Sequence, residues 1–500
     1  MKRFSSLLAA AALFAAITGC QKEPVAGNEN AETAKAYAQL NISFADPSGT
    51  KADPTADAGT GFDAGTENEY AIKTATLYFV KNVSGTMTVV KKHTVTGDFT
   101  KKVLENKDVV YTSEINGLTV GDYNVYVTVN CVLDVTENST TEAQLQALQQ
   151  GTSGTIPGTD LTNGIPMTSR DVNANQGANA ANAGLYDVIS VTSNNTKDNP
   201  CIIELSMERV WAKIAYTPNS TTDPVNTNNF IIKANRGTGA EIATVELTHY
   251  KVNNQTSLWN AFRQSCTLTD GLIATATGFG KFSTTDYVYE PTTTAKTVAA
   301  VDSYTGLTDP ATFSSLPSIA GALAYTYENG LHKNSQLVGY VTTVQFKGLL
   351  KPTTVYEKTG EETVTACSSP YTPGTTVYFY EDTFYKDLDA VNAGAKLGLA
   401  NDSQAKKFNV KIYENGVCYY NYYIRHWNNG NDQETGIMEY AIVRNNSYDI
   451  KVTNILTPGD DDQVEGIPTA NTPVEQIDSY FQVKLTIKPW VVRAQNAVLG

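Results

Sequence analysis

The chain has 500 residues and a formal charge of −14, so it is too long for one ordinary hydrophobic core, and two domains are the default. The acidic balance leaves no basic face to displace counterions, which argues against a nucleic-acid partner. Thr, Asn, Tyr and Val are abundant and long amphipathic helices are scarce, which points to an all-β chain of many short strands with few short helices.

The first twenty residues read as a leader. Lys2 and Arg3 are positive, residues 7–16 are an apolar run too short to span a bilayer, and Ile17-Thr18-Gly19-Cys20 closes it. This looks like a bacterial lipobox, in which Cys20 becomes the lipid-bearing N-terminus. An ordinary secretory signal with a chance cysteine is the alternative. Residues 21–36 form a polar tether. A strand is expected over residues 37–44, with Ala38, Leu40, Ile42 and Phe44 on one face and Tyr37, Gln39, Asn41 and Ser43 on the other. The Pro/Gly/Asp/Thr stretch that follows, to about Thr66, reads as an exposed loop open to proteolysis.

Strands then recur over residues 73–81, 87–93, 109–115 and 123–132. Ser139-Thr140-Thr141-Glu142 has capping-box spacing and predicts a helix running to a Gly151 stop. After a loop at 171–184 come strands at 186–192 and 201–216. A linker is expected at 217–225. The second half opens with strands at 229–234 and 241–252 and a short helix over 258–264. Strands return at 336–346, 375–380 and 408–414. Asn415-Gly416 is a two-residue hairpin signal, pairing Val410 and Ile412 with Tyr419 and Val417. A further pair, 436–443 with 447–455, turns at Arg444-Asn445-Asn446. Residues 459–463 read as a solvated acidic linker. The last strand, 479–488, alternates without a break: Phe481, Val483, Leu485 and Ile487 face one way. It either closes its own sheet or plugs another molecule.

Chemistry is sparse. His93, His249, His332 and His426 have no metal-ligand spacing, and Gly-x-Ser-x-Gly is absent, so neither a metal, a cofactor nor a catalytic site is expected. Cys131 and Cys201 read as small buried hydrophobes on strand faces; pairing among the cysteines after Cys20 stays open. The polar run 426–434 suits calcium or a sugar, but its oxygens do not follow a calcium-loop pattern, and it reads as an inter-strand loop. Tyr419, Tyr420, Tyr422 and Tyr423 suit a sugar platform, or a strand face.

Three stretches resemble the fimbrillin family of Bacteroidales, the major shaft subunits of type V pili: Asn163-Gly164-Ile165-Pro166-Met167-Thr168, then Glu208-Arg209-Val210-Trp211-Ala212-Lys213-Ile214, and most specifically Gly436 through Tyr448 with the ending Ile487-Lys488-Pro489-Trp490. The resemblance implies two transthyretin-like β-sandwich domains, export as a lipoprotein to the outer membrane, and removal of the N-terminal strand by an extracellular trypsin-like protease. The vacated groove then accepts a C-terminal donor strand from an identical or related pilin subunit. Carried over, the displaced strand is Ala38, Leu40, Ile42 and Phe44, the donor strand Phe481, Val483, Leu485 and Ile487, and the cut falls between Lys51 and Ala52. The best-known members are cut after arginine, whereas no Arg lies here between Arg3 and Arg170.

The organisation expected is a signal peptide (1–20), a propeptide with the removable strand (21–51), two sandwich domains (52–218 and 219–458), and a linker with the donor strand (459–500). The implied role is a non-enzymatic, adhesive pilus subunit, with a host or bacterial surface receptor among its partners. The alternatives are a tip or anchor subunit, or a glycan-binding surface lipoprotein using Tyr420 and Tyr422.

Overall fold

The computed structural model describes residues 36–44, 63, 65–97, 99–103, 109–152, 155–169, 186–219, 228–269, 272–279, 287–288, 307–308, 312–330, 336–426, 428, 430–431, 434–436, 439–463, 472–476 and 480–489. Among them the chain is built of strands, with five short α-helices. The all-β expectation is borne out.

The first half forms one nine-stranded sheet from β1 (Ala36–Phe44), β2 (Thr74–Val83), β3 (Thr86–Thr96), β4 (Thr100–Val103), β5 (Val109–Leu118), β6 (Gly121–Val129), β7 (Met167–Ser169), β8 (Asp187–Val191) and β9 (Cys201–Arg209). The order is β3-β2-β6-β7-β9-β1-β5-β4, with β8 also on β6. Alternate residues from distant parts of this order share one core: Leu77 and Phe79, Val125 and Val127, Leu40 and Ile42, Ile115, Ile203 and Leu205. The sheet therefore curls over its own inner face. The outer face of β2 and β6 buries Tyr78, Val80 and Tyr126 against Leu145, Trp259 and Phe262.

The second half is a sandwich of two sheets. One contains β10 (Trp211–Tyr216), the other β11 (Asn229–Lys233) and β12 (Glu241–Asn253). Then come β13 (Gly321–Tyr327), β14 (Thr343–Pro352), β15 (Val417–Tyr423), β16 (Asn446–Ile455) and β17 (Phe481–Pro489). The orders are β13-β10-β16-β17 and β11-β12-β14-β15. Tyr216, Tyr448, Ile450 and Phe481 of the first face Val245, Phe346 and Tyr420 of the second. Ring centroids meet across the gap, Tyr216–Phe346 at 5.8 Å and Tyr420–Phe481 at 5.5 Å. A smaller five-stranded sheet from residues 356–413 packs Val377, Phe384 and Tyr413 onto this core. Its other face carries the helices Leu388–Ala395 and Asp402–Lys407, capped by Asp387 and Asn401.

One residue, the fully buried Val210, separates β9 from β10, so the chain enters the second sheet before the expected linker at 217–225. Several local expectations fail for definable reasons. The helix near 139–150 is only Glu142–Gln146, because Thr141 and Gln144, not Ser139 and Glu142, make the capping box. Residues 258–264 are not helical: Leu258–Asn260 pairs with Gln149–Gly151, and Phe262 packs on Tyr126 at 5.2 Å. Asn415 and Gly416 do take positive φ, 54° and 70°. The flanking strands nonetheless diverge: Lys411–Tyr413 pairs with Val377–Tyr380, and β15 with β14. Residues 436–443 do not form a strand beside β16 among the described residues; Ile442 makes an isolated bridge to Asn329 instead.

Candidate functional site

β1 is hydrogen-bonded along both edges. It runs parallel to β9 (Leu40 opposite Ile203, Ile42 opposite Leu205) and antiparallel to β5 (Leu40 opposite Ser113, Ile42 opposite Tyr111). Ala38, Leu40 and Ile42 have no exposed surface. Each of the two larger side chains is worth roughly 1.5–3 kcal/mol of burial. Phe44 pairs with Met207 through the backbone, and its side chain lies outside the described residues. Removal of β1 would leave an apolar slot between two strands, with a row of unpaired N–H and C=O groups on each. Cys20, Lys51 and Ala52 lie outside the described residues.

β17 is the edge strand of its sheet and pairs antiparallel with β16. Phe481 and Ile487 are buried, and Val483 and Leu485 are half-buried against the same core. The expected inward face is thus the inward face. Of the two fates the alternation allows, this chain by itself shows the closing of its own sheet.

Residues 459–463 do not form the solvated linker expected from their charge. Tyr419 N–H donates to Asp460 O at 2.9 Å, and Asp460 N–H to Tyr419 O at 2.8 Å. Lys411 Nζ donates to Gly459 O at 2.9 Å, Tyr413 OH to Gly459 O at 2.7 Å, and Ile412 N–H to Asp461 Oδ2 at 2.8 Å. Lys411 Nζ also stands 4.4 Å from the Tyr480 ring. A Cβ at Gly459 would lie 2.2 Å from Tyr419 O, so only glycine admits this approach. Burial pushes the Asp460 carboxyl above its ordinary value, and Lys411 opposes this only in part. The run is a clasp fixing the chain shortly after β16, on its way to β17.

The third constellation sits where the two sheets meet. Arg444 is fully buried and forks onto Glu328, and its Nη1 lies 3.8 Å from Glu208 Oε1. Arg263 Nε is 3.2 Å from Glu208 Oε1. Arg209 N–H donates to Asn445 Oδ1 at 3.3 Å, and Asn445 N–H to Trp211 O at 2.9 Å. Arg209 Nε reaches Glu69 O at 2.9 Å, while Lys213 Nζ lies 3.0 Å from Glu69 Oε1 and 3.2 Å from Asp63 Oδ2. Tyr325 OH donates to Glu69 Oε1 at 2.6 Å. Glu208, Arg209 and Trp211 of one stretch singled out in the sequence, and Arg444 and Asn445 of another, are therefore brought together in one buried collar. Sequence reasoning missed Glu69, Arg263 and Glu328. The capping box Thr66-x-x-Glu69 was the one local signal for the first of these.

Tyr420 and Tyr422 do not form a surface platform, whereas Tyr419 and Tyr423, half-buried, face the other way. Tyr420 is fully buried, and Tyr422 stands 6.2 Å from the Phe481 ring, inside the sandwich, because alternation turns both toward the core. His426 is buried, with Nδ1 2.8 Å from Tyr448 OH. Among the described residues no group of three or more His, Cys, Asp or Glu is placed to hold a metal ion. Cys131 and Cys201 are half-buried, and with Cys367 and Cys418 they are free thiols.

Residues 411–496 match the family model described as "Major fimbrial subunit protein type IV, Fimbrillin, C-terminal". The fimbrillin resemblance of the C-terminal region is thereby borne out. No curated protein matches the chain in sequence. Among solved structures, a fimbrilin from Porphyromonas gingivalis W83 is similar at 15% identity, covering 93% of this chain and 100% of that one, with a TM-score of 0.44. A putative cell adhesion protein from Parabacteroides distasonis shows 13% identity over 91% and 100% of the two chains, with a TM-score of 0.41. A tip fimbrial protein from Porphyromonas gingivalis, truncated at its C-terminus, shows 10% identity over 91% and 100%, with a TM-score of 0.33.

Proposed function

We propose that the chain is a structural subunit of an extracellular fimbrium, polymerising by protease-triggered donor-strand exchange and supporting adhesion. It is exported with a lipid on Cys20 and held transiently at the outer membrane. A trypsin-like protease cuts between Lys51 and Ala52, and β1 departs. The slot between β9 and β5 takes the Phe481–Ile487 strand of another copy or a related pilin. The observation that carries this reading is the two-sided pairing of β1. A strand made inside the sheet by a segment distant in sequence from both neighbours must be replaced by a strand of like alternation if it is lost. The fimbrillin match over residues 411–496 supports the same reading. Insertion is head-to-tail, and repetition yields an open filament.

A tip or anchor subunit is the second reading; β17 closing its own sheet favours a tip. N-terminal sequencing of protein recovered from surface filaments decides between them. Ala52 as the first residue, together with subunits from both ends of the filament's length, supports the shaft role. A retained lipidated Cys20 in assembled material supports an anchor and overturns the shaft.

A further inference from the structure

Between β1 and β2 the chain carries two basic residues, Lys51 and Lys73. Lys73 is exposed, in the three residues that join the helix Glu67–Tyr70 to β2. Exposure alone would make it a second site for a trypsin-like protease. A cut there would leave Thr74, the first residue of β2, as the new N-terminus.

We infer that the Glu69 collar and Asn130 form a stop that withholds Lys73 from the processing protease and so confines cleavage to the segment before residue 63. The inference rests on the proposed processing of the precursor. On the N-terminal side, Glu69 is held at three points: Lys213 Nζ on Oε1 at 3.0 Å, Tyr325 OH on Oε1 at 2.6 Å, and Arg209 Nε on its carbonyl at 2.9 Å. Its Oε2 accepts from Thr66 N–H, and Lys213 also holds Asp63 at 3.2 Å. On the C-terminal side, Asn130 takes a left-handed backbone, φ 56°, and its amide spans the joint. Oδ1 accepts from Lys73 N–H at 2.8 Å, and Nδ2 donates to Ala71 O at 2.8 Å and Ile165 O at 2.9 Å. Gly164 leaves the room for it: a Cβ there would meet Asn130 Nδ2 at 2.3 Å.

A protease must draw the residues around the scissile bond out of the fold into an extended strand. At Lys73 this requires breaking the Asn130 bonds and, a few residues upstream, lifting a buried carboxylate from a lysine and a tyrosine. Glu69 also joins both sheets, since Arg209 ends β9 while Lys213 and Tyr325 belong to the second sheet. The new N-terminal segment thus stays docked at the junction after β1 has gone. Lys213, Arg209 and Asn130 act as positioning residues for a cleavage that occurs elsewhere.

The test is limited trypsin digestion of the purified full chain, followed by intact mass and N-terminal sequencing. Wild type is expected to lose Lys51 completely while Lys73 remains uncut. Glu69→Gln and Asn130→Ala should each speed cutting at Lys73 at least tenfold, with Lys81 and Lys91 of the β2–β3 hairpin still intact. Wild-type cutting at Lys73 as fast as at Lys51 overturns the inference. So does a pair of variants in which Lys73 is cut no faster than in wild type, or only together with Lys81 and Lys91. If surface filaments start at a residue other than Ala52, the processing reading fails on that observation, whereas the digestion still judges the stop.

Discussion

Arg444 meets Glu328 fork to fork: Nε donates to Oε2 at 2.6 Å and Nη2 to Oε1 at 2.7 Å, with both side chains wholly out of water. Such geometry offsets the desolvation of two charges, but neither partner tolerates the loss of the other. Arg444→Met is expected to destabilise the protein by about 3–5 kcal/mol, as is Glu328→Leu. The double variant should recover most of that loss. Denaturant unfolding of the four proteins measures it, and strict additivity would refute the pairing.

On the proposed processing, Leu40 distinguishes precursor from processed chain. Leu40→Ala removes a fully buried side chain and should cost the precursor about 2–5 kcal/mol. Once β1 has been cut free and washed away, the same variant should melt like wild type. Calorimetry before and after trypsin treatment checks this; an equal deficit in both states would mean that β1 does not leave.

The clasp before β17 invites a gain of function. Asp461→Ala removes the acceptor for Ile412 N–H, a bond worth about 1 kcal/mol. Hydrogen exchange over Phe481–Pro489 should quicken, and protease-treated protein should form filament ladders faster in unheated detergent gels. Slower ladders would show that the clasp presents the strand instead of restraining it.

Phe481→Ala should weaken the chain's own sandwich. Phe481 is buried against Phe346 and Tyr420 in its own sandwich, so about 3–5 kcal/mol of stability is at stake. Lys484→Ala, on the outward face of the same strand, should leave stability within about 0.5 kcal/mol. Thermal melts of the two variants make the comparison.

Acid acts oppositely on two carboxylates. Burial raises the Asp63 carboxyl, but Lys213 and the Gly65 N–H outweigh it and hold it below its ordinary value. Its stabilisation is therefore present above the unfolded pKa and is lost as pH falls through the lower folded one. Asp460 is raised by burial, so its contribution is greatest below the unfolded pKa and fades as pH rises through the folded one. Amide protection factors should fall with acid at residues 65–70 before they fall at 459–461. The reverse order would contradict the assignment.

The sequence made β1 and β17 legible because period-two alternation follows directly from one buried face. It also marked Arg209, Lys213 and Arg444, though not why they matter: each bonds a residue more than a hundred positions away, such as Glu69 or Glu328. Asn415-Gly416 announced its turn correctly, since positive φ is a local property. Which strands flank that turn was settled by Ile412 joining the small sheet and Tyr420 the sandwich, a competition the local sequence does not display. Three aspartates in a row looked solvated, yet Lys411 and the backbone of Tyr419 and Ile412 take two of them into the fold.

Only Val210 lies between β9 and β10, and this has a mechanical consequence. A pull along the chain would enter the second sheet through unbroken backbone, flanked on each side by strands roughly in line with the load. Their ladder bonds then share tension as shear, instead of opening one at a time like a zipper. The charged collar around Glu208 and Arg444 braces the point where the load changes sheet and resists the bending that would turn shear into peeling. The junction would act under such a load as a tie rod with a stiffened joint.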